Sequence, residues 1–211
     1  MKFDTKLFKK NISFFIISAL ILVLLCLISL LTGGGGVKLN KVDLNDDQTT
    51  VSKLVISEIM SLNKGALADP KGKLYDYIEL YNGNEKDINL KNYGLSDEIN
   101  NVKWVFPEVI IEAKSYLVVF LSGSKQEGLY ATFKLKANGG ETFGLFKPNG
   151  KVVDAIKTVA LEGNTVMARD ADGKWVIQTK PTPGFANNLK GHEEFLESIM
   201  SDDEKSVIIT E

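Results

Sequence analysis

Five oxygen-bearing side chains fall within two predicted strands and the loop between them, and they are the first candidates for chemistry. They are Glu58, Asn63, Asp69, Asp76 and Glu79. Calcium takes six to eight oxygen ligands from clusters of this kind, and extracellular modules bind it with a dissociation constant of about 10⁻⁴–10⁻³ M. The spacing is therefore compatible with a weak calcium site. The simpler alternative leaves the same carboxylates facing water or accepting backbone hydrogen bonds at strand edges.

The sequence contains little evidence for a hydrolase active site. Ser57 and His192 would need an acid to form a triad, but no G-x-S-x-G motif is present, and His192 lies in an acidic tail where we expect it to face solvent. Hydrolysis of sugars needs two carboxylates that flank a cleft, and Glu58, Asp76 and Glu79 are the nearest acids. We therefore predict no catalytic, cofactor-binding or metal-binding residue with a defined role, and a protein that is not an enzyme.

A row of tyrosines points to binding rather than catalysis. In the second predicted strand, the alternation of side chains places Tyr75, Tyr77 and Tyr81 on the same face as Glu79 and opposite the aliphatic residues. Rows of aromatic side chains stack on sugar rings, so one hypothesis is a carbohydrate-binding surface. The alternative is cross-strand aromatic pairing, which stabilises sheets by about 0.2–1 kcal/mol per pair.

Composition and charge exclude several classes of function. The 211 residues contain 25 Lys and Arg, 27 Asp and Glu, one His and one Cys, for a net charge of −2. Residues 1–11 carry a net charge of +3 and residues 189–211 a net charge of −5, whereas residues 54–188 hold 16 basic and 16 acidic side chains. A neutral domain lacks the basic surface that nucleic-acid binding requires. One Cys and one His exclude a disulfide framework, a Cys-based zinc site and multi-His metal ligation within one chain.

The N-terminal segment predicts a membrane anchor. Residues 12–32 contain 17 apolar residues among 21 and no charge, and about 20 such residues in a helix span a hydrocarbon core of ~30 Å. Four Lys precede this segment, which predicts a cytoplasmic location for residues 1–11 and an extracellular location for the rest of the chain. The alternative is a cleaved signal peptide, whose apolar region is shorter and ends at an A-x-A-like site. Residues 33–52 begin with four Gly and form a polar stalk.

Residues 53–188 have the pattern of an all-β domain. Eight runs rich in Val, Ile, Tyr and Phe are separated by clusters of Gly, Pro, Asn and Asp, which is typical of a β-sandwich. The predicted strands are 54–60, 75–82, 104–106, 116–123, 142–147, 151–156, 165–170 and 174–178. Gly150 and Gly173 each follow Asn or Asp and predict a hairpin turn, since these residues accept positive φ. Trp104 is predicted to lie in the core between the sheets, with Phe106 beside it. Residues 124–130 form one helical turn at most.

These segments, in this order, resemble the bacterial branch of the lamin tail domain family. The matching pieces span residues 54–188 and are LVISEIM (54–60), Asn63, DYIELYN (76–82), INL (88–90), YGLSD (93–97), KWVFP (103–107), YLVVF (116–120), FKL (133–135), GGET (139–142), PNG (148–150), VD (153–154) and PTPGFAN (181–187). The resemblance implies an immunoglobulin-like β-sandwich. It also implies a secreted or membrane-attached protein, sometimes with enzymatic domains beside it. It brings no catalytic motif, so it assigns no functional residue.

Residues 189–211 form an acidic tail. A short amphipathic helix around Phe195 and Ile199 is one interpretation, but the composition favours a disordered or linker segment. The end of the tail, residues 205–211, echoes residues 53–58 and suggests the start of a truncated second repeat. A chance apolar ending is the alternative.

Together these features predict a single-pass membrane protein that displays a lamin-tail-like β-sandwich outside the cell. The expected role is a non-catalytic module for binding, adhesion or scaffolding. Its expected partners are the lipid bilayer, through residues 12–32, and a cell-surface protein or glycan, but not nucleic acid. The alternative is an accessory domain or truncated fragment of a larger cell-surface enzyme, hydrolase or kinase-like, whose catalytic part is absent.

Overall fold

Short strands and one helix are the regular elements of residues 53–200, the part of the chain that the computed structural model describes. The elements within it are β1 (Leu54–Met60), β2 (Asp76–Asn82), β3 (Ile88–Asn89), β4 (Gly94–Ser96), β5 (Trp104–Val105), β6 (Ile110–Ile111), β7 (Tyr116–Leu121), β8 (Tyr130–Ala131), β9 (Gly139–Phe146), β10 (Val152–Val159), β11 (Val166–Arg169), β12 (Trp175–Gln178) and the helix α1 (Leu189–Ile199).

The strands form two main sheets that enclose the core. One sheet has six strands in the order β12-β11-β1-β2-β7-β8, and the other has four in the order β10-β9-β4-β5. All neighbours in them are antiparallel except β7 and β8, and β3 and β6 form a separate two-stranded sheet. Buried aliphatic and aromatic side chains from both main sheets, such as Ile56, Leu80, Leu95 and Phe143, belong to one hydrophobic cluster. The arrangement is a β-sandwich.

The second face of the six-stranded sheet is also covered. A smaller cluster of buried side chains lies there, formed by Met60, Tyr77, Val166 and Ala168, and partly buried residues of the 62–75 loop pack against it. Ile78 and Leu80 point into the main core while Tyr77 lies on this second face, as the alternation in β2 predicts. We call this second face the outer face of the six-stranded sheet.

One ion pair connects the two main sheets. The guanidinium of Arg169 on β11 donates two hydrogen bonds of 2.9 Å to the carboxylate of Asp154 on β10. Both side chains also bind the backbone of Ile56 on β1: Asp154 accepts from its N–H, and Arg169 donates to its carbonyl. Arg169 also stacks over Trp175. The pair therefore supplies backbone partners where β1 lacks a neighbouring strand.

All eight predicted strands are confirmed, as are both hairpins. The turn between β9 and β10 contains Gly150 with φ of 79°, and the turn between β11 and β12 contains Gly173 with φ of 76°. Four strands were not predicted, namely β3, β4, β6 and β8, and each is two or three residues long. Trp104 is only partly buried against the core, and Phe106, with 2% exposure, takes the fully buried position beside it.

The expectation of a disordered tail is wrong for residues 189–199. These residues form the helix α1, which begins at the N-cap Asn188, whose side chain accepts a hydrogen bond from the Gly191 N–H. Phe195 is buried with 2% exposure. The amphipathic pattern around Phe195 thus indicated the helix correctly. The helix is stabilised because this apolar side chain packs against the domain.

Other predictions fall outside residues 53–200. The apolar segment 12–32, the stalk 33–52 and the repeat-like residues 205–211 all lie there, so each stays a prediction. Within residues 53–200, no helix is long and apolar enough to cross a membrane.

Two adjacent glycines at the start of β9 allow a test of how closely the sheet is packed. Both have positive φ, 67° at Gly139 and 88° at Gly140, but a Cβ at Gly139 would overlap the backbone of Val159, whereas a Cβ at Gly140 would meet no atom. We predict that Gly140→Ala lowers the free energy of unfolding by about 1–2 kcal/mol, the cost of the left-handed conformation alone. Gly139→Ala should cost about 1–3 kcal/mol more because backbone must move. Urea denaturation of both variants measures the difference, and equal losses would contradict the close packing of β9 on β10.

Candidate functional site

A β-bulge in β1 determines which side chains reach the outer face. The register of β1 against β2 shifts between Ile56, which pairs with Leu80, and Glu58, which pairs with Glu79. Strict alternation would place Glu58 on the core face with Ile56, because both positions have the same parity. The extra residue, Ser57, reverses the alternation. Glu58 therefore faces the same side as Glu79, and the core residue Ile59 follows.

The bulge brings two carboxyl groups together in the interior. Glu58 and Glu79 are direct cross-strand partners, and both are fully buried, with 0% exposure. Like charges opposite each other in a sheet are destabilising, and a buried charge without a partner costs far more. The two groups cannot both be ionised at low cost, so the pair retains one proton.

Glu58 is the member of the pair with more hydrogen-bond donors around its oxygens. Its Oε1 accepts from the Tyr77 hydroxyl at 2.5 Å, and its Oε2 accepts from the backbone N–H and the hydroxyl of Thr182 at 3.0 and 2.9 Å. Burial raises the pKa of Glu58, while these donors and the nearby His192 lower it again in part. The Tyr77 hydroxyl and the Thr182 N–H donate to Glu58, which is the environment of a carboxylate anion, whereas the Thr182 hydroxyl has one proton for two acceptors, Glu58 and Asn187.

Glu79 has fewer donors. The N–H of Gly184 donates to its Oε2 at 2.5 Å, whereas its buried Oε1 has no hydrogen-bond partner. Burial raises the pKa of Glu79 well above its usual range, and the charge of Glu58 raises it further; the Gly184 N–H and the nearby Ser57 hydroxyl offset only part of this. Glu79 is therefore the member of the pair that retains a proton to higher pH.

Apart from the Tyr77 hydroxyl of β2, the donors to both carboxyl groups come from the chain after β12. We call residues 181–200, which include α1, the closing segment. Pro181, Thr182 and Pro183 are buried, and Gly184 has φ of 90°. The prolines and the glycine set the backbone of this turn, so that the two N–H groups of Thr182 and Gly184 point at the acid pair. These residues and the acid pair form the candidate functional site.

Asn187 ties the closing segment to β1 and β11. Its Nδ2 donates to the carbonyl and hydroxyl of Ser57 and to the carbonyl of Arg169 at 3.0–3.1 Å. Its Oδ1 lies 2.7 Å from the Thr182 hydroxyl and shares that single proton with Glu58. One amide side chain thus uses both its donor and its acceptor to fix the segment over the bulge.

The five residues considered for calcium divide into three places. Glu58 and Glu79 form the buried pair, Asp76 accepts from the Asn63 N–H at 3.0 Å, and Asp69 accepts from the Tyr130 hydroxyl at 3.0 Å. Asn63 and Asp69 also bind backbone N–H groups of their own loop. Within residues 53–200, no group of three or more His, Cys, Asp or Glu is placed to hold a metal ion. Calcium binding by these residues stays a prediction.

Ser57 and His192 lie near the acid pair, but they do not bind each other in the described structure. The Ser57 hydroxyl accepts from Asn187, and Nδ1 of His192 lies 2.7 Å from the Pro181 carbonyl. The expectation of a solvent-exposed His192 is wrong, because the side chain is partly buried and acts electrostatically on Glu58. The helix α1 places it there.

The three tyrosines do not form one exposed row. Tyr77 is fully buried against Glu58, and Tyr75 packs edge-on against Tyr130. Tyr81 stacks on its cross-strand partner Tyr116 with 4.7 Å between the ring centroids. Cross-strand pairing, the alternative considered for this row, therefore accounts for Tyr81.

Sequence reasoning missed the partners of the acid pair: Tyr77 as a donor, Thr182, Gly184 and Asn187. One signal was present. The core residues Leu54, Ile56 and Ile59 are spaced by two and then three positions, and a step of three inside a strand indicates a bulge. The contact between β1 and the closing segment joins residues 124 apart, which no local pattern reveals.

The fold defines an all-β sandwich module of the immunoglobulin-like kind. Residues 47–160 match the Lamin Tail Domain family, which is more than half of the chain. The protein therefore belongs to the lamin tail domain family, as the sequence resemblance indicated; residues 161–188, which that resemblance included, lie beyond the matched range. A search of curated proteins gave no match to this chain.

The unequal roles of the two acids predict unequal effects of isosteric substitution. Glu79→Gln replaces a carboxyl whose pKa lies well above its usual value of 4.5, so near pH 4.5 it should change the free energy of unfolding by less than about 1 kcal/mol. Glu58→Gln places an NH₂ group among the donors Tyr77 and Thr182. It should lower the free energy of unfolding by about 1–3 kcal/mol. Denaturant titrations of both variants measure this, and equal losses would contradict the assignment of the proton to Glu79.

The same titrations have a predicted pH dependence. The folded-state pKa of Glu79 lies well above its usual value of 4.5, so the folded state holds a proton that the unfolded state releases. Stability from this group is fully present below pH 4.5 and falls as the pH rises through the folded pKa. In Glu79→Gln, the free energy of unfolding should fall less steeply as the pH rises. An unchanged slope would exclude Glu79 as the source of this pH dependence.

Proposed function

We propose that this protein is a non-catalytic binding module at the bacterial cell surface, anchored by residues 12–32 and attached to a protein partner through the free edge of β12. Support for the module class comes from membership of the lamin tail domain family. The acids near the matched motifs are occupied in holding loops and the closing segment, as the bonds of Glu58, Glu79 and Asp76 illustrate.

The observation that carries the binding role is the edge strand β12. Among the described residues it pairs only with β11, so one side of its backbone has no strand neighbour there. Ile177 on this strand is 60% exposed, and Leu189 at the start of α1 is 56% exposed. Both line one shallow groove beside the edge, together with Gln178 and Thr179. A free edge with apolar side chains beside it accepts an extended segment of another protein by strand addition.

The proposed location rests on the sequence. The uncharged apolar segment 12–32 is long enough to span a bilayer as a helix, and its basic flank precedes it. With this orientation, residues 53–200 face the outside. The neutral charge of residues 54–188 agrees with a module that does not depend on nucleic acid.

Cysteine labelling tests the location. Cys26 is the only Cys, so a Cys26→Ser chain can carry a single new Cys either at Lys6 or at the exposed position Lys125. We predict that a membrane-impermeant maleimide labels the Lys125→Cys chain in intact cells. The Lys6→Cys chain should react only after the membrane is permeabilised. The reverse pattern would place the domain in the cytoplasm and contradict the proposal.

Photo-crosslinking in cells tests the binding surface. A photoreactive amino acid replaces Ile177 in the full chain, and a matched control replaces Ile110, which is 57% exposed on the two-stranded sheet. We predict one dominant protein adduct from position 177. The yield of this adduct should be about tenfold lower from position 110, and it should also fall when Leu189→Glu places a charge in the groove. Equal adducts from both positions would overturn the β12 edge as the binding surface, and an adduct with sugar alone would overturn the protein partner.

A further inference from the structure

The closing segment is attached to the sandwich by side chains rather than by strand pairing. The backbone-to-backbone hydrogen bonds of residues 181–200 in the described structure all join residues of that segment, for example from Phe185 to Thr182 and from Asn188 to Ala186. Its bonds to the sandwich run instead to the carboxyl groups of Glu58 and Glu79 and through Asn187. A segment held in this way opens independently more easily than a strand of a sheet, because no backbone ladder must break.

The two carboxyl groups form the centre of that attachment. Three donors of Thr182 and Gly184 end on them: two backbone N–H groups and one hydroxyl. While the segment is closed, the acids are fully buried and retain one proton. When it opens, water replaces the buried environment, and both acids regain the properties of exposed carboxylates. Opening is therefore coupled to release of the proton.

We propose that the closing segment is a proton-controlled latch on the outer face of the six-stranded sheet. It stays closed while the Glu58–Glu79 pair holds one proton. It opens, with the sandwich intact, when that proton is lost at higher pH.

Opening would change the surface that the module presents. Ala186 and Asn187 of the segment form one wall of a depression of about 370 Å³, whose other side includes Tyr81, Tyr116 and Ser57. Removal of the segment would join this depression to the buried row of Tyr77, Glu79 and Glu58. The latch thus controls access to the tyrosine-rich outer face.

Apart from His192, the groups around the acid pair leave Glu79 as the source of the pH response. Tyr77 and Tyr116 face the pair from β2 and β7; burial raises the pKa of Tyr77 well above its usual range and that of Tyr116 to about 12, so both remain neutral. From β11, the residue opposite Glu58 is Ala168, and the adjacent Arg169 is paired with Asp154. Residues 181–188 contain no titratable side chain. His192 of α1 is the remaining titratable neighbour.

The coupling between proton release and opening determines how strongly the opening equilibrium depends on pH. Between the usual glutamate pKa of 4.5 and the raised pKa in the closed state, each opening releases one proton. The equilibrium constant for opening therefore rises about tenfold per pH unit in that window and is constant above it. Glu79→Gln removes the proton from the equilibrium.

Hydrogen exchange of the full chain, followed by mass spectrometry and corrected for the intrinsic pH dependence of exchange, tests the latch. The comparison is between peptides from residues 181–200 and peptides from the β9–β10 hairpin, residues 139–159. From about pH 5 to pH 9, protection of residues 181–200 should fall by at least about tenfold, whereas the hairpin stays protected. In Glu79→Gln, protection of residues 181–200 should vary by less than about threefold over the same range.

Each other outcome overturns the proposal. Equal loss of protection in both regions would mean that the pair affects only global unfolding. A loss that persists in Glu79→Gln but disappears in His192→Gln would assign the response to the histidine. Constant protection of residues 181–200 in the unaltered chain would exclude a pH-dependent opening, and this measurement decides the question even if a variant fails to fold.

Discussion

Two carboxyl groups that face each other in the interior of a sheet are the constraint on which the rest of the site depends. Glu58 and Glu79 are fully buried cross-strand partners, so the fold must supply donors and retain a proton. The bulge at Ser57 is what places Glu58 there, and the donors come from Tyr77 and from the turn around Thr182. Removing any one of these features would leave a charge or a polar atom buried without compensation.

Side chains replace missing backbone partners at two places beside β1. On one side of the bulge, Asp154 and Arg169 bind the N–H and the carbonyl of Ile56. On the other, Glu58 and Glu79 bind the N–H groups of the closing segment. Buried backbone groups need partners, and side-chain carboxylates and a guanidinium replace the missing ladder. Polar residues in this domain thus complete the hydrogen bonding of irregular backbone, which explains why they gather around one strand.

The sequence predicted those features of the fold that depend on residues close together in the chain. Alternation in β2 placed Ile78 and Leu80 in the core correctly, and Gly150 and Gly173 marked real hairpins, because side-chain period and turn geometry depend on neighbouring residues. The two-residue strands, such as β3, could not be predicted, since so short a run carries no periodicity and is defined only by its partner β6.

The candidate functional site could be predicted only in part from the sequence, for a related reason. Glu58 and Glu79 were singled out by type and spacing, but as calcium ligands or hydrolytic acids rather than as a buried pair. Assigning their role needed the parity change at Ser57 and contacts with Thr182 and Gly184, more than 100 residues away. His192 was misplaced because an acidic tail has the composition of a solvated segment, whereas burial of Phe195 draws α1 against the domain.

The division of the site between two parts of the chain has an energetic consequence. Glu58 and Glu79 lie inside the range matched to the lamin tail domain family, whereas Thr182, Gly184 and Asn187 lie beyond it. Without the closing segment, the two acids would be hydrated and need to retain no proton; with it, they become hydrogen-bond acceptors for Thr182 and Gly184. Their contribution to stability therefore exists only in the closed form, and its size depends on a proton rather than on packing alone. Apolar residues at the same positions would cover the sheet equally well, but they would leave the N–H groups of Thr182 and Gly184 without acceptors. The acids are thus suited to holding a segment that must also be able to leave.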